Sequence, residues 1–280
     1  MNVRSSLLLA SAALLFTACT QSKTSSLNLD NKNTSIVNGS AALPQDPVTA
    51  STVALIAKYE GKPYSFCTGT LISEDLVLTA NHCLEYTEKP SDVWIFFGAD
   101  LPKEFSDTRI LQVENFERHS GYEMIFDETG YPVTGINDVA VIRLQKKAPA
   151  GTTVVPVLAP ETVLKDGQSL LLAGYGLIDD VKGVRAEGLN FTQVPLAKVW
   201  DTILVTDQLR SGACSGDSGG PAYIENNNGL VVVGITRGPH DKAPDCHTYG
   251  EYTYASKHKE FILEAAKKLG AQEPQFVDLK

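Results

Sequence analysis

Short apolar runs of four to six residues recur along the chain, separated by segments rich in glycine, proline, asparagine and aspartate. Runs of this length between turn residues are typical of β-strands, whereas an amphipathic helix needs about ten or more residues of periodic pattern. We find no internal repeat and no sign of a second domain. The pattern predicts an all-β barrel or sandwich, and its clearest strands are Val53–Ala57, Leu76–Thr79, Val93–Phe97, Val139–Leu144, Leu170–Ala173 and Val231–Ile235.

The pattern near the C-terminus has helical spacing instead. Between Ser256 and Leu269 the apolar side chains fall on one face of a helix, and Gly270 is a typical helix stop. We expect a terminal helix that packs this apolar stripe on the body of the protein, followed by a frayed polar tail. The stripe consists of Phe261, Ile262, Ala265, Ala266 and Leu269.

The N-terminal residues have the pattern of an export signal. Arg4 gives a positive start, and Leu7–Phe16 is an apolar run too short for a permanent membrane-spanning helix. It ends in Phe-Thr-Ala-Cys, which resembles a bacterial lipoprotein signal covering residues 1–19, with Cys19 as the lipid-bearing residue. The alternative is a plain secretory signal in which Cys19 is incidental. The polar segment Thr20–Ser35 is then a flexible tether or propeptide.

Composition excludes some classes of binding partner but says little about the function. The residues from Ile36 onward are enough for one compact unit of two packed subdomains. The formal net charge of −9 argues against nucleic acid or an anionic membrane surface as a partner. No C-x-x-C motif and no paired-histidine spacing is present, so a metal site is not expected, and no cofactor is indicated.

The candidate chemistry lies in the hexapeptide G-D-S-G-G-P at residues 216–221. A serine hydroxyl near neutral pH needs an oriented base, and the oxyanion that forms when it adds to a carbonyl needs hydrogen-bond donors. The glycines around Ser218 let the backbone turn tightly and leave its amides free to point into a site. A glycine-rich surface turn would carry the same string, so the base and its orienter must come from elsewhere in the chain.

Two upstream segments supply them, L-T-A-N-H-C at 78–83 and N-D-V-A-V-I-R-L at 137–144. From about Ile36 to the terminal helix, the chain resembles the chymotrypsin family of serine proteases. That family carries T-A-A-H-C, N-D-I-A-L and G-D-S-G-G-P segments in this order. The G-Y-G at 174–176 resembles the family's G-W-G segment. The resemblance implies two packed six-stranded antiparallel barrels, about 36–146 and 160–255, with a helix at about 256–269 and the active site between the barrels.

The resemblance also implies a role for each catalytic residue. Ser218 would attack the scissile carbonyl, and His82 would take its proton and pass it to the leaving amine. Asp138 would orient the imidazole, and the amides of Gly216 and Ser218 would form the oxyanion hole. Taken singly, His82 is better explained as a core histidine and Asp138 as a turn residue at a strand edge. Their order and their neighbours favour the catalytic interpretation.

The I-V-N-G segment at 36–39 resembles the activation site of the same family. Cleavage there would free the amine of Ile36, which would fold inward and pair with Asp217. The alternative is that Ile36 simply begins the first strand. Because Ser35 precedes the bond, a protease that cuts after Arg or Lys would not be the activator. The cut would also separate the catalytic domain from any lipid on Cys19, so activation would coincide with release.

Cysteine usage agrees with export. The chain has five cysteines, and if Cys19 carries a lipid, the remaining four allow three pairings. The resemblance implies the bonds Cys67–Cys83 and Cys214–Cys246, which would form in an oxidising compartment.

The resemblance places Gly212 at the base of the primary specificity pocket, where enzymes that cut after Arg or Lys have an aspartate. Gly238 and Gly250 would leave the walls open, so we expect a preference for large apolar or aromatic residues. The family's S-W-G wall is replaced by Thr236, Arg237 and Gly238, which puts a charge beside the substrate backbone.

Two loops leave the specificity open. The loop from Pro239 to Cys246 carries Asp241 and Asp245, either of which could enter the pocket and attract a basic residue; the alternative is that both are solvated. The segment Met124–Gly135 would overhang the substrate and narrow the specificity, or else be a tolerated surface insertion.

Three functions remain on this reading. The first is a monomeric endopeptidase that acts on protein or peptide substrates and is activated by another protease. The second is an esterase, since the triad does not distinguish amides from esters. The third is a non-catalytic binding protein on the same fold, which the presence of His82, Asp138 and Ser218 disfavours.

Overall fold

The computed structural model describes residues 36–129, 132–240 and 245–279. The predicted signal peptide, Cys19, the tether 20–35 and Asp241 lie outside the described residues. Within those ranges no helix is long and apolar enough to cross a membrane.

The described residues form mostly β-structure. The strands are β1 (Ser40–Ala41), β2 (Thr52–Tyr59), β3 (Lys62–Leu71), β4 (Leu76–Thr79), β5 (Trp94–Phe97), β6 (Ile110–Arg118), β7 (Glu123–Phe126), β8 (Pro132–Ile136), β9 (Ala140–Leu144), β10 (Val157–Leu158), β11 (Ser169–Gly174), β12 (Leu177–Asp179), β13 (Val184–Arg185), β14 (Asn190–Val199), β15 (Ile203–Asp207), β16 (Pro221–Asn226), β17 (Gly229–Pro239), β18 (Tyr249–Tyr254) and β19 (Phe276–Val277); the α-helix is α1 (Lys259–Leu269).

Six strands close into a first barrel in the order β2-β3-β4-β9-β6-β5. All four residues of β4 are buried, and they pair with β9 from Leu76 opposite Arg143 to Thr79 opposite Ala140. Gly69 in β3 permits the close approach of β4, since a Cβ there would lie 2.6 Å from Val77 Cγ1. This tight closure sets the ends of β4 and β9, from which two candidate catalytic residues project.

The second barrel has the order β16-β11-β14-β15-β18-β17 and is closed by pairing of β16 with β17. Strand β14 shows why the sequence folds this way. Thr192, Val194 and Leu196 are buried, whereas Gln193 and Pro195 between them are exposed, the period-two pattern of a strand with one face on a core. The predicted all-β fold of two six-stranded antiparallel barrels is confirmed.

The chain ends cross between the barrels, which differs from the expected division at residues 36–146. Strand β1 pairs with β14 of the second barrel, although it precedes the first barrel in sequence. Conversely, α1 packs against β6 and β9 of the first barrel and buries Ile262, Ala265, Ala266 and Leu269. The segment that precedes the first barrel in sequence therefore packs on the second barrel, and the helix that follows the second barrel packs on the first.

The C-terminal boundaries also differ from the expectation. The α-helix begins at Lys259, because Ala255–His258 form a 3-10 turn, and it ends where Gly270 adopts a left-handed conformation with φ of 66°. The tail is not frayed. Its residues Phe276–Val277 form β19, which pairs in parallel with β10.

Candidate active site

The candidate catalytic residues come from three loops at the junction of the barrels. His82 opens a 3-10 turn directly after β4, Asp138 precedes β9, and Ser218 precedes β16. Hydrogen bonds join the barrels at these residues: Thr68 N donates to Ser218 O at 2.8 Å, and Thr253 Oγ1 donates to Asp138 O at 3.0 Å. The sequence motifs thus meet in space because each follows or precedes a barrel strand.

His82 and Asp138 form a two-point contact. The Asp138 Oδ2 atom lies 2.7 Å from His82 Nδ1, and Asp138 Oδ1 accepts the backbone N–H of His82 at 2.9 Å. Burial acts to raise the pKa of the Asp138 carboxyl, but its bonds and charge contact with His82 outweigh burial, and that pKa lies below its usual value. An ionised Asp138 holds the Nδ1–H tautomer, which leaves His82 Nε2 as the free base.

Ser218 sits on a turn that only glycine permits on either side. Gly216 has φ of 99° and Gly219 has φ of 79°, a region that disfavours residues with a Cβ. Neither amide nitrogen, of Gly216 or of Ser218, has an acceptor among the described residues, so both remain available as donors.

One cleft holds the imidazole and the serine together. His82 and Ser218 both line it, with Phe66 at its wall. In the described residues no hydrogen bond links Ser218 Oγ to His82 Nε2. Such bonds are often long before substrate binds, and they shorten in the complex.

Asp217 is an almost fully buried carboxylate, with an exposed fraction of 1%. Its two oxygens accept the backbone N–H groups of Gly176 and Cys214, each at 2.8 Å. Burial raises its pKa to about 7, although the two backbone bonds act in the opposite direction. The ion pairs found between described residues do not include Asp217. Ile36 is buried in the core of the second barrel, and its nitrogen is a peptide amide because Ser35 is still attached.

Two disulfides brace the site. Cys67–Cys83 ties β3 to the turn that carries His82, and Cys214–Cys246 ties the Ser218 loop to the chain before β18. These are the two pairings that the family resemblance implied. The clusters of possible metal ligands among the described residues each include both sulfurs of one of these disulfides, which offer no thiolate.

Comparison with known proteins decides the family, because the sequence model of the family described as Trypsin matches residues 36–262. The chain belongs to the trypsin family. It is 29% identical over 233 residues to kallikrein 1-related peptidase b26 of Mus musculus, which covers 76% of this chain and 84% of that protein. It is 27% identical over 190 residues to trypsin of Sarcophaga bullata, covering 61% and 67%.

Other relatives are much longer than this chain. Vitamin K-dependent protein C of Oryctolagus cuniculus is 28% identical over 220 residues, which is 70% of this chain but 45% of that protein. The matched part of mannan-binding lectin serine protease 1 of Rattus norvegicus is 34% of its length. The chain therefore spans less than half of these two relatives.

A cavity of about 440 Å³ lies beside Ser218 and is lined by most of the residues predicted for the substrate pocket. Of the predicted wall residues, Thr236, Arg237, Gly238 and Gly250 line the cavity. Gly212 does not line it. The structure therefore brings the four predicted wall residues together around the cavity, but not Gly212, which was predicted to form its base.

Sequence reasoning missed Gln208, which lines the cavity and is buried. A Cβ at Gly212 would overlap the Gln208 amide oxygen, and a Cβ at Gly250 would overlap the Gln208 amide nitrogen. The amide therefore fills the space that side chains at 212 and 250 would share. The only sequence signal was the pair of glycines at these positions, which is compatible with a third side chain in the space as well as with the open pocket that the sequence predicted.

Arg237 does not present a free charge to the cleft. Its guanidinium is buried beside Glu251, with Nη1 3.5 Å from Oε2, and donates to Gly135 O and Thr134 Oγ1. Burial lowers the pKa of Arg237, although Glu251 acts to raise it. The expectation of a charge beside the substrate backbone is corrected accordingly: the guanidinium hydrogen-bonds into a hairpin and is neutralised there.

That hairpin is the segment predicted as a long loop at 124–135. Strands β7 and β8 pair from Glu123 opposite Ile136 to Phe126 opposite Pro132. Thr134 also donates to Glu251 Oε2 at 2.8 Å, so the hairpin is fastened to β18. Asp245, the described member of the two loop acids, lines the cavity but is exposed and accepts the N–H of His247 at 3.0 Å.

Proposed function

We propose that this protein is a serine endopeptidase that cleaves peptide bonds through an acyl-enzyme. The observation that carries the proposal is the two-point contact of buried Asp138 with His82, in the cleft that Ser218 also lines. Membership of the trypsin family supports the same chemistry.

The proposed mechanism assigns one step to each residue. His82 Nε2 takes the proton of Ser218 as its Oγ attacks the scissile carbonyl, and Asp138 stabilises the resulting imidazolium. The free amides of Gly216 and Ser218 donate to the oxyanion, and each such donor contributes about 3–4 kcal/mol to the transition state. His82 then protonates the leaving amine, and water hydrolyses the acyl-enzyme by the reverse sequence.

The proposed activation step is cleavage of the Ser35–Ile36 bond. The new ammonium group of Ile36 would pair with Asp217, whose buried carboxylate has only backbone N–H partners among the described residues. The chain is thus proposed to be a zymogen that requires an activating protease able to cut after serine.

The proposed location is outside the cytoplasm, because both disulfides require an oxidising compartment. Residues 1–19 are proposed as the export signal, with Cys19 as a lipid anchor in the cell envelope. Cleavage before Ile36 would release the catalytic domain from that anchor as a monomer.

The proposed substrates are proteins or peptides with a large apolar or aromatic residue before the scissile bond. The cavity of about 440 Å³ has room for such a side chain, and position 212 carries no acid. Cleavage after basic residues is the alternative that Asp245 at the cavity rim favours.

A fluorophosphonate probe tests the proposal, applied to the mature protein and to Ser218→Ala. We expect labelling of the wild type at Ser218 alone and none of the variant, with an active species that begins at Ile36. A correctly processed protein that is not labelled would instead be a binding protein on the protease fold. An active form that begins before Ile36 would exclude the activation step.

A further inference from the structure

Arg185 places a fixed positive charge beside Gly216. A Cβ built on Gly216 would lie 3.3 Å from Arg185 Nη1, so the guanidinium borders one of the two proposed oxyanion donors. Pairing of β13 with β12 sets Arg185 opposite Leu177, and Nη1 donates to Ser65 O at 3.2 Å. The guanidinium also lies over the Tyr64 ring, with Cζ 4.7 Å from the ring centre. These contacts hold the side chain in place although the residue is exposed.

Most of the hydrogen-bond donors of this guanidinium are unused. Arginine carries five N–H donors, and the contact of Nη1 with Ser65 O is the only hydrogen bond that the Arg185 side chain makes among the described residues. The ion pairs between those residues do not include Arg185. The edge formed by Nε and Nη2 is therefore left for an acceptor from outside the chain, and its geometry matches the two oxygens of a carboxylate.

The buried carboxylate of Asp217 does not occupy this edge. Burial raises the pKa of the Asp217 carboxyl, and its backbone hydrogen bonds and the charge of Arg185 act in the opposite direction. Asp217 is only 1% exposed, however, and its oxygens already accept the N–H groups of Gly176 and Cys214. In the processed enzyme it is also the proposed partner of the Ile36 ammonium group. Arg185 therefore remains available to a substrate.

The two cavities at Ser218 define the direction in which a substrate runs. Among the described residues, Ser218 is the only one that lines both. The residue before the scissile bond is proposed to fill the cavity of about 440 Å³, so the chain after that bond leaves Ser218 through the other one. That leaving-group cleft is lined by Ser218, His82 and Phe66, and His82 must lie beside the leaving amine in order to protonate it.

Strand β3 leads from the leaving-group cleft to Arg185. Phe66 lines the cleft, and its neighbour in β3, Ser65, carries the carbonyl that binds the guanidinium. Successive residues of an extended chain advance by about 3.3 Å and point their side chains to opposite faces. The first residue after the scissile bond therefore lies beside His82 and Phe66, and the second lies beyond Phe66, level with Arg185.

We propose that Arg185 is a specificity determinant that binds the carboxylate of an Asp or Glu side chain two residues after the scissile bond. This inference rests on the proposed function and names a feature of the preferred substrate that is independent of the residue before the bond. The carboxylate accepts hydrogen bonds from Nε and Nη2, while the Tyr64 ring supports the face of the guanidinium. The formal net charge of −9 repels acidic peptides from the protein as a whole, so a preference for them has to come from a local cation.

The experiment uses processed enzyme and internally quenched peptides that differ only at the second residue after the scissile bond. The residue before the bond is the one that the wild type cleaves fastest in a preliminary panel, so the result does not depend on the preference of the other cavity. We expect kcat/KM to be about fivefold higher for Glu than for Gln at about 0.02 M salt, the upper range for an exposed ion pair. At about 0.5 M salt the ratio should fall below about twofold, because salt screens the attraction.

Variants assign the preference to one side chain. Arg185→Met should bring the Glu-to-Gln ratio close to one. Arg185→Glu should reverse the preference, so that a peptide with Lys at this position is cleaved faster than one with Gln. Arg210→Met, which removes the same charge from another exposed position, should keep the wild-type ratio.

The outcomes separate this inference from the proposed function. A wild-type enzyme that labels with fluorophosphonate but cleaves the Glu and Gln peptides equally at low salt overturns the role of Arg185. A preference for Glu that survives Arg185→Met overturns it too. Absence of labelling and of all hydrolysis defeats the proposed function instead. Since the wild-type comparison needs no variant, the test stands even if a variant fails to fold.

Discussion

Arg237 and Glu251 form a buried ion pair at the edge of the specificity cavity, with side chains only 6% and 7% exposed. Thr134 and the carbonyl of Gly135 also contact this pair, so it fastens the β7–β8 hairpin to β17 and β18. His240 Nδ1 lies 2.6 Å from the second Glu251 oxygen. The same buried contacts therefore stabilise the fold and hold Arg237 in the wall of the cavity.

Removing one partner of this pair should destabilise the protein strongly. We expect Arg237→Met to lower the free energy of unfolding by about 3 kcal/mol, because Glu251 is left buried without its main counter-charge. Denaturant titration measures it. The double variant Arg237→Met with Glu251→Gln should lose less than the sum of the single changes. Lys182→Met, which breaks the exposed pair with Asp179, is the control and should cost under about 1 kcal/mol. If Arg237→Met and Lys182→Met lowered the free energy of unfolding equally, the stabilising role assigned to the Arg237–Glu251 pair would be contradicted.

Asp217 should make the uncleaved chain more stable as the pH falls. Its folded pKa of about 7 lies well above the usual range of an aspartate, so the folded state binds the proton more tightly. The free-energy cost of ionising Asp217 in the folded state therefore grows as the pH rises from about 4 to 7. Between pH 8 and pH 5 we expect a gain of about 2–3 kcal/mol from this group. The measurement is unfolding of the Ser218→Ala precursor across this range.

The matched variant is Asp217→Asn in the same precursor. It should show a flatter dependence on pH, whereas Asp201→Asn, at an exposed position, should keep the dependence of its parent. If Asp217→Asn retains the full slope, the slope belongs to other groups.

Asp138→Asn should leave the mature enzyme folded but lower its kcat. The asparagine amide cannot hold the Nδ1–H tautomer of His82, and such a change typically lowers kcat by about 10⁴-fold in Ser-His-Asp enzymes. Steady-state kinetics at pH 7 and at high pH give the measurement, with KM expected to change little. A fall in kcat of less than tenfold would remove Asp138 from the catalytic machinery.

Gly212→Asp alone should not convert the pocket to one that accepts Arg or Lys. A Cβ at 212 overlaps the Gln208 side chain, so the new acid has no room. Combining Gly212→Asp with Gln208→Ala vacates that space, and we expect cleavage after Arg to rise at least about tenfold over the single variant. The control is Gly212→Asp with Gln193→Ala. Efficient cleavage after Arg by Gly212→Asp alone would show that Gln208 does not occupy the base.

Much of the fold could be predicted because its signals are local. The buried runs at 76–79 and 139–144 became β4 and β9 almost residue for residue, since burial on a barrel core demands continuous apolar strands. The tail at 276–277 could not be predicted as a strand. Its pairing with β10 depends on backbone hydrogen bonds to a segment far away in sequence, and polar composition does not reveal those bonds.

In the candidate site too, local sequence signals predicted some residues, whereas the surroundings of others depend on contacts between distant strands. Short motifs identified Ser218, His82 and Asp138, because a tight glycine turn and the residues at strand ends leave marks within a few positions. The burial of Arg237 was not foreseen, since the acid that neutralises it lies on β18 and is brought near only by strand pairing.

The sequence by itself determined the apolar barrel strands β2, β4, β5, β9, β11 and β17, the order of the predicted catalytic motifs and the absence of an acid at position 212, all of which are properties of nearby residues. Only the tertiary structure decided what lies at the base of the pocket. Gln208, Gly212 and Gly250 meet there because β15 pairs with β18, and the direction of a buried side chain follows from the space its neighbours leave.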